Sequence, residues 1–437
     1  MSQSPSLPIG ARVGGTLADV EPAERDIRVW WTLAAVAVLL RFVIMPYGGF
    51  PVDIGTFKAW ANHLAERGPA AFYGAGFADY LPGYLYVLWV IGEFHKIVRF
   101  NDPAFLFALK LPAAVADMAT AWLVFTLGKR FGSSGALALS ASYLFNPGIV
   151  FNSAFWGQAD AVGALVVLTG IALLDVGSPV VVAILLAAGS LIKPQSAPVV
   201  IPAVLYLVRT LSRPASGPPR WDVLLGAGLA ALATVVLIII PFGLSPLRLI
   251  GVLRVSLGVY PYSSVVAFNF WGATQGFWQS DGIRWLSVPL YALGTGATLL
   301  ALAAVAVWAW YHPTPRQVIL ASAVSVLITF VLPTRIHERY LLTAIPFFAV
   351  AAAIDRRMIA VYVGLSVVFA TNLLFAYTRP YVQTFRLPGW VETTLYSVAG
   401  TRALSALGVI VLVAALVFLF TSRAPRAETA AHATTGD

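Results

Sequence analysis

Long apolar runs alternate with short polar connections over almost the whole chain of 437 residues. Most runs approach the roughly 20 apolar residues that a helix needs to cross a bilayer. The pattern therefore predicts an all-α polytopic membrane protein with about 12 spans. The predicted spans are 30–45, 105–127, 136–155, 160–174, 180–192, 197–208, 223–242, 285–311, 318–332, 340–354, 358–376 and 404–420.

Composition supports the membrane interpretation. Hydrophobic residues make up 59% of the chain and charged residues 11%, against roughly 25% charged residues in soluble domains. A single soluble core could not bury so much apolar surface, so a soluble globular protein and a disordered chain are both excluded. Cysteine is absent, which excludes disulfides and thiol chemistry.

Basic residues in the short connections set the predicted orientation, because cytoplasmic loops are enriched in Lys and Arg. Lys129 and Arg130 follow the second predicted span, and Arg356 and Arg357 follow the tenth. Both termini are then cytoplasmic. The resulting organisation is a cytoplasmic tail at 1–28, a membrane domain at 29–421 and a second cytoplasmic tail at 422–437.

The first predicted external loop, residues 46–102, contains one ambiguous apolar segment at 81–91. This segment is too short to cross a bilayer comfortably, and Glu93 and Lys96 follow it closely. We therefore interpret it as an interfacial helix on the outer surface. The alternative, in which it crosses, would place Lys129 and Arg130 outside.

The external face of this topology is as basic as the cytoplasmic face. The net charge is +9, and about half of the 28 basic residues fall on or near the external side. On a membrane protein this balance favours anionic lipid headgroups or a phosphorylated substrate as partners, rather than nucleic acid.

Two acidic residues lie at the predicted external ends of spans. Asp53 comes soon after the first span, and Asp160 follows Trp156 and Gln158 at the start of another. A carboxylate beside aromatic rings that exclude water is suited to act as a general base. The alternatives are a solvated loop residue for Asp53 and a helix cap for Asp160. A divalent cation shared by the two carboxylates is compatible with the sequence but not required by it.

Basic side chains gather at the same predicted face. Arg335, His337, Glu338 and Arg339 form a dense cluster after one span, and Arg254 in the second external loop could join them. The planar guanidinium groups suit phosphate oxygens. Mutual ion pairing is the alternative explanation.

Two further residues have plausible structural explanations as well as functional ones. Lys193 is carried to the outer boundary by an apolar run, where it either extends to water or binds an anion. Tyr80, which follows Asp79 in the first loop, is either an interfacial aromatic residue or a substrate contact.

Taken together, the order of these motifs resembles the GT-C superfamily of membrane glycosyltransferases, and most closely the bacterial relatives of the enzymes that use dolichol-phosphate-linked glucose or mannose. The likeness extends over about residues 29–421. The matching motifs are Asp53, Asp79-Tyr80-Leu81-Pro82, Trp156-Gly157-Gln158-Ala159-Asp160, Lys193-Pro194-Gln195 and Ile336-His337-Glu338-Arg339-Tyr340.

The resemblance implies a GT-C fold with a long first external loop that carries interfacial helices. It also implies an inverting glycosyltransferase that moves a hexose, mannose or glucose, from a polyprenyl-phosphate donor to a lipid or glycan acceptor. The active site would lie on the external face of the bacterial plasma membrane, without a required cofactor. The implied roles are catalysis for Asp53 and Asp160, donor-phosphate binding for Arg335, Arg339, Lys193 and Arg254, and substrate binding for Tyr80, Trp156, Gln158, His337 and Glu338.

A transporter or flippase of an anionic lipid-linked substrate is the alternative function, and a structural scaffold is a third. A transporter should carry charged residues near the midplane of several spans. Here the inner parts of the predicted spans are almost free of charge, with Arg41 and Asp117 as the main exceptions. The sequence therefore favours the transferase.

Overall fold

The computed structural model describes residues 23–74, 76, 78–214, 216–381 and 386–422, with the backbone alone at 380 and 381. The predicted tails lie largely outside these residues, although the first helix already begins at Glu24. The α-helices are α1 (Glu24–Ile44), α2 (Pro51–Arg67), α3 (Pro82–Val98), α4 (Asp102–Arg130), α5 (Ala136–Leu144), α6 (Pro147–Val150), α7 (Asp160–Ala172), α8 (Pro179–Ile192), α9 (Val200–Ser212), α10 (Trp221–Ile239), α11 (Pro246–Gly258), α12 (Phe270–Thr274), α13 (Leu290–Tyr311), α14 (Pro315–Val331), α15 (Ala344–Ile354), α16 (Met358–Ala376) and α17 (Val398–Phe420).

Short elements of other types connect the helices. Two strands, β1 (Arg284–Trp285) and β2 (Val288–Pro289), pair antiparallel in a small hairpin. The 3₁₀ turns are Pro69–Gly74, Pro194–Val199, Ile240–Phe242 and Glu338–Thr343, and the π-helical turns are Phe151–Trp156, Tyr377–Tyr381 and Val391–Leu395.

Within the described residues, six helices are long and apolar enough to cross a membrane, which supports the predicted all-α membrane protein. Each of the six overlaps a predicted span. Other predicted spans correspond to shorter helices such as α7, α8 and α14, whose lengths of about 20–26 Å fall short of a hydrocarbon core of about 30 Å. The count of twelve spans therefore stays a prediction. The six helices are Glu24–Ile44, Asp102–Arg130, Trp221–Phe242, Leu290–Tyr311, Met358–Arg379 and Val398–Phe420.

The helices differ in how they are packed. Helices α14 and α15 are buried on nearly every side and form the centre of the bundle. In contrast, α10 buries only Ala227 and Ile239 and exposes a series of leucines, including Leu229 and Leu237. A helix that is apolar all round is stable either in a protein core or against lipid. The first explanation fits α14, and the second fits α10.

One predicted span, 136–155, is wrong in its continuity. Helix α5 ends at Leu144, and the chain restarts at α6 with Pro147 in the first helical position. The Asn146 side chain accepts hydrogen bonds from the backbone N–H groups of Gly148 and Ile149, which caps the new helix. Hydropathy alone counts these residues as one apolar run and misses the break.

The predicted span 285–311 also begins too early. Trp285 lies in β1, and helix α13 starts at Leu290. Leu286 and Ser287 have positive φ angles of 47° and 69°, as the central residues of a tight two-residue hairpin turn require. The hairpin therefore occupies what the sequence suggested was the first turn of a helix.

The first predicted external loop folds into helices that pack on each other. The ambiguous segment 81–91 becomes most of α3, which packs against α2. The two helices approach so closely at Gly92 that a Cβ atom there would collide with the carbonyl group of Ala61. Helix α3 is not among the six long apolar helices, and its position along the outer surface stays a prediction.

Candidate functional site

Asp53 lies in the first turn of α2, directly after a loop in which Gly48 and Gly49 adopt positive φ angles. Its carboxylate oxygen Oδ2 accepts a hydrogen bond from the indole Nε1 of Trp156 at 2.8 Å and another from the side-chain amide of Gln158. Trp156 is fully buried. Trp156 is a predicted substrate contact, but in the structure it is a buried hydrogen-bond donor to the Asp53 carboxylate.

The segment that supplies these two donors has an unusual backbone. A π-helical turn, Phe151–Trp156, ends at Gly157, whose φ angle is +90°. A Cβ atom at position 157 would lie 2.7 Å from the Ile54 side chain. Only glycine fits this left-handed, crowded position, and the turn it makes directs Gln158 toward Asp53.

Lys193 and Asp160 form a buried ion pair beside Asp53. Lys193 Nζ lies 3.4 Å from Asp160 Oδ1, and both side chains are at most 5% exposed. Lys193 also donates a hydrogen bond to the Tyr80 hydroxyl at 2.7 Å, and that hydroxyl lies 3.4 Å from the Gln158 side-chain oxygen. Asp160, predicted as catalytic, is therefore neutralised by Lys193, and the two form one polar chain with Tyr80 and Gln158.

The segment after α14 brings a second cation into the same region. Arg339 donates to Glu338 Oε1 at 3.0 Å, and His337 Nδ1 lies 3.9 Å from Glu338 Oε2. Burial lowers the pKa of His337 well below its usual value, and the charges of Arg339 and Lys193 lower it further. The His337 imidazole is therefore neutral at pH 7. Burial also raises the pKa of Glu338, against the opposing effect of Arg339.

A small polar pocket lies between these groups. Its walls include Asp79, Lys193, Tyr260, His337 and Arg339. Burial raises the pKa of Asp79, while the positive charges of Lys193 and Arg339 act in the opposite direction. Asp79 belongs to the motif Asp79-Tyr80-Leu81-Pro82 but is not among the predicted site residues. The sequence signal that could identify it is its position next to Tyr80, which is a predicted substrate contact.

Several buried polar atoms around this pocket have no hydrogen-bond partner among the described residues. A folded protein normally pairs such atoms with protein groups or with water, so these atoms are available to hydrogen-bond a polar ligand in the pocket. These atoms are Asp160 Oδ2, Gln195 Oε1, His337 Nε2, Glu338 Oε2 and Arg339 Nε.

A larger, mainly apolar cavity of about 570 Å³ adjoins the polar pocket. Helices α11, α13 and α14 contribute to its wall, and Tyr260 and His337 line both spaces. Arg335, at its edge, pairs with Asp281 at 2.6 Å. Arg254 is exposed on α11 and lines neither space. Of the predicted phosphate-binding residues, the structure thus brings together Lys193 and Arg339, but not Arg254.

No group of three or more His, Asp or Glu side chains in the described part of the chain is arranged to hold a metal ion. Comparisons of the chain with models of known protein families and with curated proteins gave no match. The fold and the site together define a helical membrane protein. Its polar pocket is lined by two positively charged side chains, Lys193 and Arg339, and adjoins an apolar cavity.

Proposed function

We propose that the protein is an inverting glycosyltransferase that uses a polyprenyl-phosphate-linked hexose as donor. The observation that carries the proposal is the junction between the apolar cavity and the polar pocket, which share Tyr260 and His337. A lipid-linked sugar phosphate has the same division, with an isoprenoid chain at one end and a charged, hydroxyl-rich group at the other. The order of motifs that resembles the GT-C superfamily supports the same donor class.

Asp53 is the proposed general base. Both of its donors, Trp156 and Gln158, bind Oδ2, and within the described residues no hydrogen bond is donated to Oδ1. Oδ1 would take the proton from an acceptor hydroxyl as that oxygen attacks the anomeric carbon of the donor. The bond from this carbon to the phosphate oxygen then breaks with inversion, and polyprenyl phosphate leaves.

Arg339 and Lys193 are the proposed electrostatic partners of the leaving phosphate. Negative charge grows on that group in the transition state, so fixed cations stabilise the transition state more than the bound donor. The charges of Asp53 and Glu338 act on Arg339 and keep it protonated, and Asp160 and Tyr80 hold Lys193. Asp79, His337 and Glu338 would contact sugar hydroxyls or orient the guanidinium group.

A transporter or flippase of an anionic lipid is the other candidate. It needs charged groups inside the spans that can meet a substrate, whereas the charges of Arg41 and Asp117 neutralise each other at 3.1 Å. The transferase therefore has the stronger support.

The test is incubation of the purified protein with a panel of polyprenyl-phosphate hexoses and candidate lipid and glycan acceptors. We expect one donor to be consumed, with release of polyprenyl phosphate and a glycosylated acceptor. Movement of the donor between leaflets of a vesicle without consumption would instead favour the transporter.

The proposed location of the site, on the external face of a bacterial plasma membrane, has a separate test. The chain has no cysteine, so single cysteines can be introduced without background labelling. An impermeant reagent should label cysteines at positions 79 and 102 from outside intact cells and should not label one at position 129. The reverse pattern for 102 and 129 would overturn the topology.

A further inference from the structure

Two opposite charges lie buried between the membrane-spanning helices α1 and α4. Arg41 is 1% exposed and Asp117 is fully buried, and the guanidinium Nε and Nη2 donate to Asp117 Oδ2 at 3.2 and 3.1 Å. Replacing such a pair with apolar residues is often neutral or stabilising. A gain in stability is therefore a weak explanation for the pair, and its other contacts indicate what it positions.

Those contacts converge on the interrupted segment 136–156. Arg41 Nη2 also donates to the carbonyl oxygen of Leu144, at the end of α5, at 3.1 Å. The Ser153 hydroxyl, in the π-helical turn, lies 2.5 Å from the same Asp117 Oδ2 and 2.9 Å from the Ile149 carbonyl oxygen. Because the carboxylate is charged and closer, it is the stronger acceptor for the single hydroxyl hydrogen. The ion pair thus holds both sides of the break in this segment.

Helix α4 supports the same region at a second point, seven residues before Asp117. Lys110 is fully buried, and its ammonium group donates to the Tyr47 carbonyl oxygen at 2.7 Å. Its side chain lies 3.3 Å from where a Cβ atom would stand on Gly157. Residues seven apart lie on one face of a helix, so this face of α4 contacts both the loop before Asp53 and the turn opposite it.

The π-helical turn leads directly to the donors of Asp53. Three residues after Ser153, the Trp156 indole donates to Asp53 Oδ2 at 2.8 Å. The Trp156 carbonyl oxygen accepts a hydrogen bond from the Phe50 backbone N–H at 3.1 Å. The backbone N–H groups of Gly157 and Gln158 donate to the Asn152 carbonyl oxygen at 3.1 and 3.0 Å. Movement of the turn would therefore displace both donors.

We infer that Arg41, Asp117 and Ser153 are positioning residues that fix the π-helical turn and so hold Trp156 and Gln158 against the Asp53 carboxylate. The kinetic consequence rests on the proposed function, since it assumes that Asp53 acts as a general base. The geometric consequence, an ordered turn at 151–158, does not depend on that function.

The test uses Ser153→Ala, which removes one hydroxyl and leaves the ion pair intact. Ser140→Ala is the matched control, because Ser140 is an equally buried hydroxyl on α5 that binds the Ala121 carbonyl oxygen and the Trp30 indole instead. Ser153→Thr keeps the hydroxyl and serves as the conservative rescue. Sugar transfer and backbone hydrogen exchange at 157–158 are measured for all three variants and the unmodified protein.

We expect Ser153→Ala to lower kcat by roughly tenfold to a hundredfold with little change in the KM for donor, because a displaced base misplaces the reacting atoms. Exchange at 157–158 should become faster. Ser140→Ala and Ser153→Thr should show none of these changes.

Unchanged kcat and unchanged exchange at 157–158 in Ser153→Ala would overturn the inference, as would equal changes in Ser140→Ala. If the unmodified protein transfers no sugar, the proposed function fails while hydrogen exchange still tests the positioning role. If the unmodified protein transfers sugar but exchange at 157–158 in Ser153→Ala is as slow as in the unmodified protein, the positioning role is overturned and the proposed function stands.

Discussion

Two arginines four residues apart in the same segment have different surroundings. The Arg335 side chain is 33% exposed; it is bound through Nε to Asp281 and through Nη1 to the Leu257 carbonyl oxygen at 3.1 Å. The Arg339 side chain is 14% exposed, binds Glu338, and has a buried Nε without a partner among the described residues. The first arginine is committed to protein contacts, whereas the second retains hydrogen-bonding capacity inside the polar pocket.

The difference shows that charge density along a sequence does not by itself define a binding site. Arg335 joins three parts of the fold, because it contacts the end of α11, the segment before β1 and, at 5.9 Å, the ring of Tyr291 on α13. Arg339 instead faces the pocket that also contains Lys193 and Asp79. We therefore expect loss of Arg335 to affect mainly the cavity wall, and loss of Arg339 to affect mainly donor binding and transfer.

The largest expected effect sharpens the comparison by leaving both arginines intact. Asp53→Asn should lower the rate of transfer by about 10²–10⁴-fold, because it removes the proposed general base, while donor binding is retained. Single-turnover transfer and donor binding measure the two effects. Asp102→Asn, an exposed carboxylate paired with Lys58, is the control and should transfer normally. An Asp53→Asn variant with the turnover of the unmodified protein would contradict the assignment.

The next effect compares the arginines directly. Arg339→Ala should weaken donor binding and slow transfer by about 10²–10³-fold, as expected for loss of one preorganised donor to developing charge. Arg335→Ala should slow transfer by less than about tenfold, since its guanidinium group is bound to Asp281 and the Leu257 carbonyl oxygen and does not line the polar pocket. Steady-state kinetics with varied donor concentration separate the two variants.

Arg357→Ala supplies the remote control for that pair. Arg357 contacts Asp355 at 2.6 Å at the predicted cytoplasmic face and should change neither binding nor transfer. If Arg335→Ala proves as damaging as Arg339→Ala, the division between the two arginines is wrong.

The sequence predicted much of this arrangement in outline and little of it in detail. The apolar runs located the helices, because hydropathy reports which segments can be buried or face lipid. The sequence predicts that four polar residues lie at the external membrane boundary, and the structure places them close together. These residues are Asp53, Gln158, Lys193 and Arg339. What the sequence could not supply was the pairing, because contacts between distant segments depend on how the helices pack.

Two residues illustrate that gap. Nothing local to Arg335 indicates that its partner is Asp281, 54 residues earlier. Lys110 lies within the predicted apolar span 105–127, where a lysine needs a buried acceptor or a path to water. The acceptor is a backbone carbonyl of a neighbouring loop, Tyr47, which no side-chain pattern identifies.

A smaller effect tests the structural side of the comparison. Arg335→Met and Asp281→Asn should each lower Tm by about 1 °C, as loss of roughly 1 kcal/mol would do in a chain of this length. The double variant should be about as stable as the less stable single variant, because both changes remove the same interaction. Thermal unfolding in detergent measures this coupling. Fully additive losses would mean that the Arg335–Asp281 contact contributes nothing measurable.

The smallest expected effect concerns His337, which lies two residues from each arginine. Charged or titratable neighbours are Arg339, Lys193 and Glu338, and the Tyr260 ring packs on the imidazole at 4.7 Å. The pKa of His337 is lower in the folded protein than its usual value of 6.5. Below about pH 6.5 the unfolded chain therefore binds a proton that the folded protein does not, so folding stability falls as the pH decreases.

His337→Gln should remove this contribution. Between pH 7.5 and pH 5.5 the Tm of the variant should decline less than that of the unmodified protein, because glutamine takes up no proton on unfolding. Asp79 and Glu338, whose pKa values are raised by burial, contribute to the pH dependence in the opposite direction. Both residues are present in the variant and in the unmodified protein, so the difference between the two slopes of Tm against pH isolates the contribution of His337. A steeper decline for the variant would mean that the imidazole is protonated in the folded protein, and Arg339 would then face a second positive charge in the pocket.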